Sequence, residues 1–366
     1  MINITKEPTP FYPAYNDSYI SFNTTYNNDN KAVLKIENLP YTFTIYPNIQ
    51  GNYLFNLKHI ATSIGNTNKF LDTINPNYEG WGFADENLTF EFNLIIEVYG
   101  DSSSESITNT YSFTRGVKQY GDKLYSNPYQ LLLPSNDGVN YYVRYFEGFP
   151  FDIQFRYINY GDFLTFYNKR TTDTSPAFET TDDHPYRIFF DKGNTSWNST
   201  NFMDLPDLLN RVDVKVNDNV KTSIDIRKEA GRCGVYLKWL NAEGGYSYWL
   251  FNSERKETYS GSEIDRMGTN FFENIYDNNR GLSLPTGKEG STEIELKTLA
   301  TAEEIRHLKS LITSPMVVMF SEFEPYSIGD WIDVKVTTRN INYSSKRTRN
   351  QVTINIELPE IQTQKY

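Results

Sequence analysis

The chain has 366 residues, a formal charge of -11 and a sequence pI near 4.9, long enough for two domains with cores of their own. Its acidity argues against nucleic acid as the main partner, because phosphate binding needs clustered Lys and Arg. The single cysteine, Cys233, excludes an intrachain disulfide and reads as a small buried or half-buried thiol.

The opening "MINITKEPTPFYPAYND" lacks a basic region followed by an apolar run, and no window approaches the roughly 18 apolar residues of a membrane span. Synthesis and assembly in a cytoplasm are expected. With 28 Tyr and 24 Phe set among Asn, Asp, Thr and Ser, the composition favours many short strands joined by polar turns.

In chain order, Ile20 to Phe22, Ala32 to Ile36 and Tyr41 to Tyr46 alternate as strands do. Leu88 to Gly100 starts alternating and then runs apolar, as a strand does on entering a two-sided core. The polar run 100–106 then forms the tip of a hairpin whose second strand follows it. Gly148 and Pro150 mark a turn between two aromatic strands in 141–158. Residues 171–184 are polar and punctuated by Pro176, a surface loop or linker, so the expected division is 1–170, then the linker 171–184, then 185–366.

Three alternating runs follow, "YRIFFD", "VDVKVND" and "TSIDIRKE". A weak helical pattern covers 263–275. A stronger one covers 301–314, where Thr301 and Glu304 form a capping-box pair, Ile305, Leu308 and Ile312 share a face, and Pro315 ends the helix. Three β-like runs close the chain, and no internal repeat is visible. The expected fold is mainly β: two β-sandwich-like domains with one or two short helices.

Chemistry-bearing patterns are sparse. His59, His184 and His307 show no metal-ligand spacing, and His307 falls on the solvent side of its helix, about 200° from Ile305. "TTDDHP" places Asp182 and Asp183 beside His184 without the ordered spacing of a calcium loop and reads as a turn. Cys233 lacks the base and oxyanion site of a nucleophile, and "GRCG" precedes a strand rather than a helix, so nucleotide binding is unsupported. No catalytic residue, metal or cofactor is assigned.

The most distinctive stretch is "GVYLKWLNAEGGYSYWLF", 234–251. Val235, Leu237 and Trp239 alternate with Tyr236, Lys238 and Leu240. Beyond the turn, Tyr246, Tyr248 and Leu250 alternate with Ser247, Trp249 and Phe251. A hairpin apolar on both faces has to be covered twice. Core packing, a subunit interface and a stacking platform for sugar rings are the alternatives. The working expectation puts Trp239 in the core and Tyr246, Tyr248, Trp249 and Phe251 at an interface. In the basic turn "SSKRTRN", Lys346, Arg347 and Arg349 are candidate contacts for an acidic neighbour.

The Leu-x-Trp run, Gly-Gly turn and aromatic-Trp-Leu-Phe strand of this stretch resemble a segment of structural tail proteins from tailed bacteriophages infecting Bacteroidetes, including crAss-like phages. The opening residues Glu7, Pro8, Pro13, Ala14, Tyr15 and Asn16 resemble the N-terminus of the same group, and "LITSP" with "WIDVKVTTRNINYSSKRTRNQVTINIEL" resembles a closing segment of tail and baseplate proteins. The resemblance covers about a third of the chain. It implies a non-enzymatic virion component of distal-tail, hub or ring-adaptor type. Such a subunit assembles as a symmetric ring with copies of itself and with other tail or portal-adaptor proteins, with no membrane partner. The competing reading is a carbohydrate- or receptor-binding module of a tail, with Trp239, Trp249, Tyr246 and Tyr248 stacked on a glycan.

Overall fold

The computed structural model describes every residue except 26–30, 68–69, 75–79, 101–103, 125–126, 128, 182–183, 194–201, 232, 269–282, 322–329, 362 and 364–366. The protein is mainly β, as expected, and divides into two compact units. One comprises Met1–Gly231 and Leu240–Ser247, the other Arg232–Trp239 and Tyr248–Tyr366.

The first unit opens with two facing sheets. One has the order β1 (Ile2–Lys6), β3 (Tyr19–Thr24), β6 (Asn52–Asn56); the other runs β2 (Tyr12–Pro13), β9 (Ser104–Thr114), β8 (Thr89–Tyr99), β4 (Lys31–Ile36), β5 (Thr42–Ile45). Alternation places Ala32, Leu34 and Ile36 of β4 and Phe92, Leu94, Ile96 and Val98 of β8 inward. They meet Ile20, Phe22 and Tyr53 of the other sheet in one core. Helix α1 (Lys58–Gly65) closes this core with Ile60 and Ala61. No capping signal announces this helix, because Leu57 stands at its N-cap and no side chain caps it.

The second pair of sheets carries most of the aromatic content. The larger has the order β10 (Asn140–Phe146), β16 (Asn219–Glu229), β15 (Leu208–Val216), β12 (Phe163–Asn168), β13 (Phe178–Glu179). The smaller is β11 (Phe151–Ile158), β14 (His184–Asp191), β7 (Gly82–Ala84). The two aromatic strands on either side of Gly148 therefore enter different sheets, β10 pairing parallel with β16 and β11 antiparallel with β14. Trp81, Phe166, Phe190 and Phe202 meet edge-on, with centroids 4.7–6.4 Å apart.

These pairings overturn the expected boundary. Strands before the polar segment are hydrogen-bonded to strands that lie beyond it or begin at its last residue, β12 to β15 and β11 to β14, and β13, inside the segment, pairs with β12. The polar segment is thus a connection inside one unit. Low hydrophobicity marked an exposed loop and carried no information about which strands pair across it.

The second unit has a sheet of order β18 (Tyr246–Asn252), β17 (Gly234–Leu240), β23 (Val317–Phe320), β24 (Trp331–Asp333). The facing sheet is β19 (Lys256–Glu263), β22 (Lys288–Ala300), β26 (Asn350–Glu357), β25 (Lys335–Val336). Strands β20 (Arg266–Gly268) and β21 (Ser283–Pro285) pair beyond β19 and β22. The helical pattern expected over 263–275 is strand at Glu263 and Arg266–Gly268 with no helix between, and 269–275 lie outside the described residues.

Helix α2 (Ala302–Lys309) begins as expected. Thr301 accepts from the Glu304 amide and the Glu304 carboxylate accepts from the Thr301 amide. It tightens into a 3-10 turn over Ser310–Thr313, which brings Leu311 into the core with Ile305 and Leu308 and leaves Ile312 partly buried. Among the described residues no helix is long and apolar enough to cross a membrane.

Candidate functional site

The aromatic hairpin β17–β18 is apolar on both faces, as its sequence demands, and most of it is consumed by packing within the chain. Val235, Leu237, Trp239, Trp249 and Phe251 all enter the core of the second unit, together with Leu296 and Ile354. Each indole is satisfied there: Trp239 Nε1 donates to Ser310 Oγ at 2.9 Å, and Trp249 Nε1 donates to Thr298 Oγ1 at 3.1 Å. Across an antiparallel turn Trp239 and Trp249 share a face, so they cannot divide between core and interface.

The opposite face is covered as well. Tyr236 and Tyr248 stack at 5.9 Å, Trp331 lies 6.0 Å from Tyr236, and the Lys238 ammonium sits 4.2 Å above the Trp331 ring. Tyr246, Tyr248, Trp249 and Phe251 are 2, 8, 3 and 0% exposed. The expected interface role of these four residues is therefore corrected: their surface is already buried inside the chain. The same burial removes the open row of rings that a glycan platform requires.

The Gly-Gly turn belongs to the first unit. Gly244 has φ +90°, and a Cβ on Gly245 would lie 2.5 Å from the Leu132 carbonyl oxygen. Lys118 Nζ contacts both Glu243 carboxylate oxygens at 2.5 Å, and Asn241 donates to the Leu132 carbonyl and to Ser247. Burial holds the Glu243 carboxyl above its usual range, against the pull of Lys118. Next to this turn a cavity of about 20 Å³ has room for about one water, far below the roughly 300–1,000 Å³ of small-molecule sites.

The most concentrated charge constellation is one that sequence spacing could not reveal. Arg187 on β14 is 1% exposed. Its Nε donates to Asp152 Oδ2 at 2.8 Å and its Nη2 to Asp152 Oδ1 at 3.2 Å, while its Nη1 donates to Asp72 at 2.5 Å and to Asp85 at 3.5 Å. The guanidinium also lies 4.5 Å over the Tyr246 ring. Burial raises the Asp85 carboxyl, with Arg187 opposing, and pushes the Tyr246 phenol well above its usual range. Three carboxylates filled by one planar cation tie β14 to β11 and to the segments carrying Asp72 and Asp85, the latter just past β7.

The remaining expectations fall out individually. His184 lies 3.8 Å from Glu86, and Asp182 and Asp183 are outside the described residues. Among the described residues, no group of three His, Cys, Asp or Glu is placed to hold a metal ion. His307 is half-buried rather than solvent-facing, and burial lowers its imidazole to about 4. Cys233 is exposed, not buried. Lys346, Arg347 and Arg349 are exposed, and among the described residues none has a carboxylate partner in the chain.

The feature least explained by the chain itself is the hairpin of β19 and β22 with its extension β20–β21. From Thr258 to Glu263 every residue is exposed, so β19 is bare on both faces. Tyr259, Ile264 and Met267 are 70, 42 and 56% exposed.

No protein family matches the sequence, and no curated protein does. Among solved structures, the chain is similar to the fibronectin(III)-like modules of CbhA from Clostridium thermocellum, at 11% identity over 63% of this chain and 96% of that one. The TM-score of 0.19 is too low to carry an argument about fold or function.

Proposed function

We propose that this chain is a structural subunit of a larger assembly, of the kind that forms rings in the tail, hub or collar of a tailed bacteriophage, and that it acts by burying surface rather than by turnover. The observation that carries the assembly reading is the β19–β22 arm. An edge strand bare on both faces from Thr258 to Glu263, carrying Tyr259 outward with Ile264 and Met267 exposed just beyond it, gains by being covered. The phage-tail reading rests on the resemblance of residues 234–251, the N-terminus and the closing segment. The exposed cations Lys346, Arg347 and Arg349 supply a second surface suited to an acidic neighbour.

The test is sedimentation of the full chain over a wide concentration range, together with cryo-electron imaging of particles that carry it. Concentration-dependent oligomers and repeated copies in a tail ring are expected. A chain that stays monomeric and is absent from particles overturns the reading, as does sustained hydrolysis of host surface polysaccharide by the isolated protein.

A further inference from the structure

One stretch of the first unit differs from the rest of the chain in charge. Between Glu37 and Lys58 lie 20 residues without a charge, where the chain's average of 22% would place about four. This stretch includes β5 and β6, which form the outer edges of the two facing sheets among the described residues. It also exposes Tyr41, Tyr46, Ile49 and Leu54 at 63, 71, 105 and 60%. The turn carrying Ile49 is built to hold it outward: Asn48 Oδ1 accepts from the Gln50 and Asn52 amides, and Gly51 donates to the Asn48 carbonyl with φ +78°.

Edge strands in proteins that stay apart are blunted by charges, prolines or bulges. Strand β5, Thr-Phe-Thr-Ile between two tyrosines, has none of these within it. Its outward N–H and C=O groups stand open beside an apolar rim, in a chain whose net charge of -11 otherwise repels its own copies.

We propose that β5 receives the β19 arm of a second copy as an added strand. The inference rests on the assembly reading above and names its contact. Two features select this occupant. First, β19 is the outer strand of its own sheet, and its central residues Thr258 to Ser262 are as uncharged as β5. Adding it to β5 therefore satisfies both backbone edges without burying an ion. Second, edge and arm are different surfaces, so the contact is head-to-tail and leaves each copy with a free arm or a free edge until a ring closes.

The experiment uses the full chain with Cys233→Ser, since the only native thiol is exposed. One pool carries Thr44→Cys and another Ser260→Cys; both positions are exposed. The pools are treated singly and mixed with a short bismaleimide, which tolerates a register slip of a residue or two. Crosslinked dimers in the mixed pool alone are expected. Separately, Thr44→Lys should weaken association at least tenfold while leaving the melting temperature unchanged. Crosslinks within the Thr44→Cys pool alone would show β5 edges meeting one another and overturn the proposal. Oligomers that form without crosslinks, or that tolerate Thr44→Lys, overturn it while leaving the assembly reading intact. A chain monomeric at every concentration overturns both.

Discussion

Trp239 and Trp249 enter the same core from neighbouring strands, and each indole N–H ends on a hydroxyl of a different element, Ser310 after α2 and Thr298 on β22. Truncating either to Ala removes a large buried ring and should cost about 3–5 kcal/mol. The two variants are therefore expected to lose similar amounts of stability. Denaturant melts of both check this; a Trp249→Ala protein as stable as the wild type would return that ring to the surface.

The loss should be separable from its polar part. Thr298→Val keeps the shape of the side chain and leaves the Trp249 indole without its acceptor, at a cost of about 1–3 kcal/mol. Ser310→Ala should act likewise on Trp239, with a further loss from the turn, because Ser310 Oγ also donates to the His307 carbonyl at 2.8 Å. Melting of these variants beside the Trp truncations measures the two parts.

Arg187 holds Asp72, Asp85 and Asp152 together. Arg187→Met leaves three carboxylates facing one another with no cation between them, and breaking a buried pair in this way typically costs about 3–5 kcal/mol. Asp85→Asn in the same chain should recover part of the loss, because it removes one of the stranded charges. Equal stability of the single and double variants would show that the carboxylates do not sense one another.

Strand existence and facing were legible in the sequence because alternation reports burial directly: β4, β8, β16 and β26 stand where their apolar residues recur at every second position. The capping box of Thr301 and Glu304 was legible for a similar reason, being a local bond between residues three apart. Pairing was not. Nothing within 141–158 tells that β10 and β11 part into different sheets, and nothing in Asp72, Asp85, Asp152 and Arg187 announces their meeting, since they lie up to 115 residues apart. The division of the aromatic hairpin between core and interface failed at the turn, where the face shared by Trp239 and Trp249 depends on register.

Stability should depend on pH through two groups whose titration burial shifts in opposite directions. Burial raises Asp191 from 3.8 to about 6, against hydrogen bonds from Tyr145, Gly148 and Gly193. The folded state therefore binds this proton more tightly than the unfolded one, and stability falls as pH rises from about 4 to 6. Asp191→Asn should gain on the wild type across that window, by up to about 3 kcal/mol from a shift of roughly two pH units. His307 works the other way. Its lowered imidazole is neutral in the fold and charged in the unfolded chain between about 4 and 6.5, so its contribution grows as pH rises and is lost on acidification. His307→Gln should flatten that slope, by less than the full shift implies because the ring is only half-buried. Denaturant midpoints of the three proteins from pH 3.5 to 7.5 provide the check.

The basic turn gives the last prediction. Lys346, Arg347 and Arg349 are exposed and have no carboxylate partner in the chain among the described residues, so reversing all three to Glu should leave fold stability within about 0.5 kcal/mol. If they face an acidic neighbour in an assembly, complementary charge acts mainly on encounter and register. The reversed variant should then associate more slowly at low salt. The difference should shrink as ionic strength approaches 1 M, where the screening length falls to about 3 Å. Light scattering across a salt series measures it. Equal rates at low salt would make the turn a solvated tip, and a rate deficit independent of salt would point to a contact of shape rather than charge.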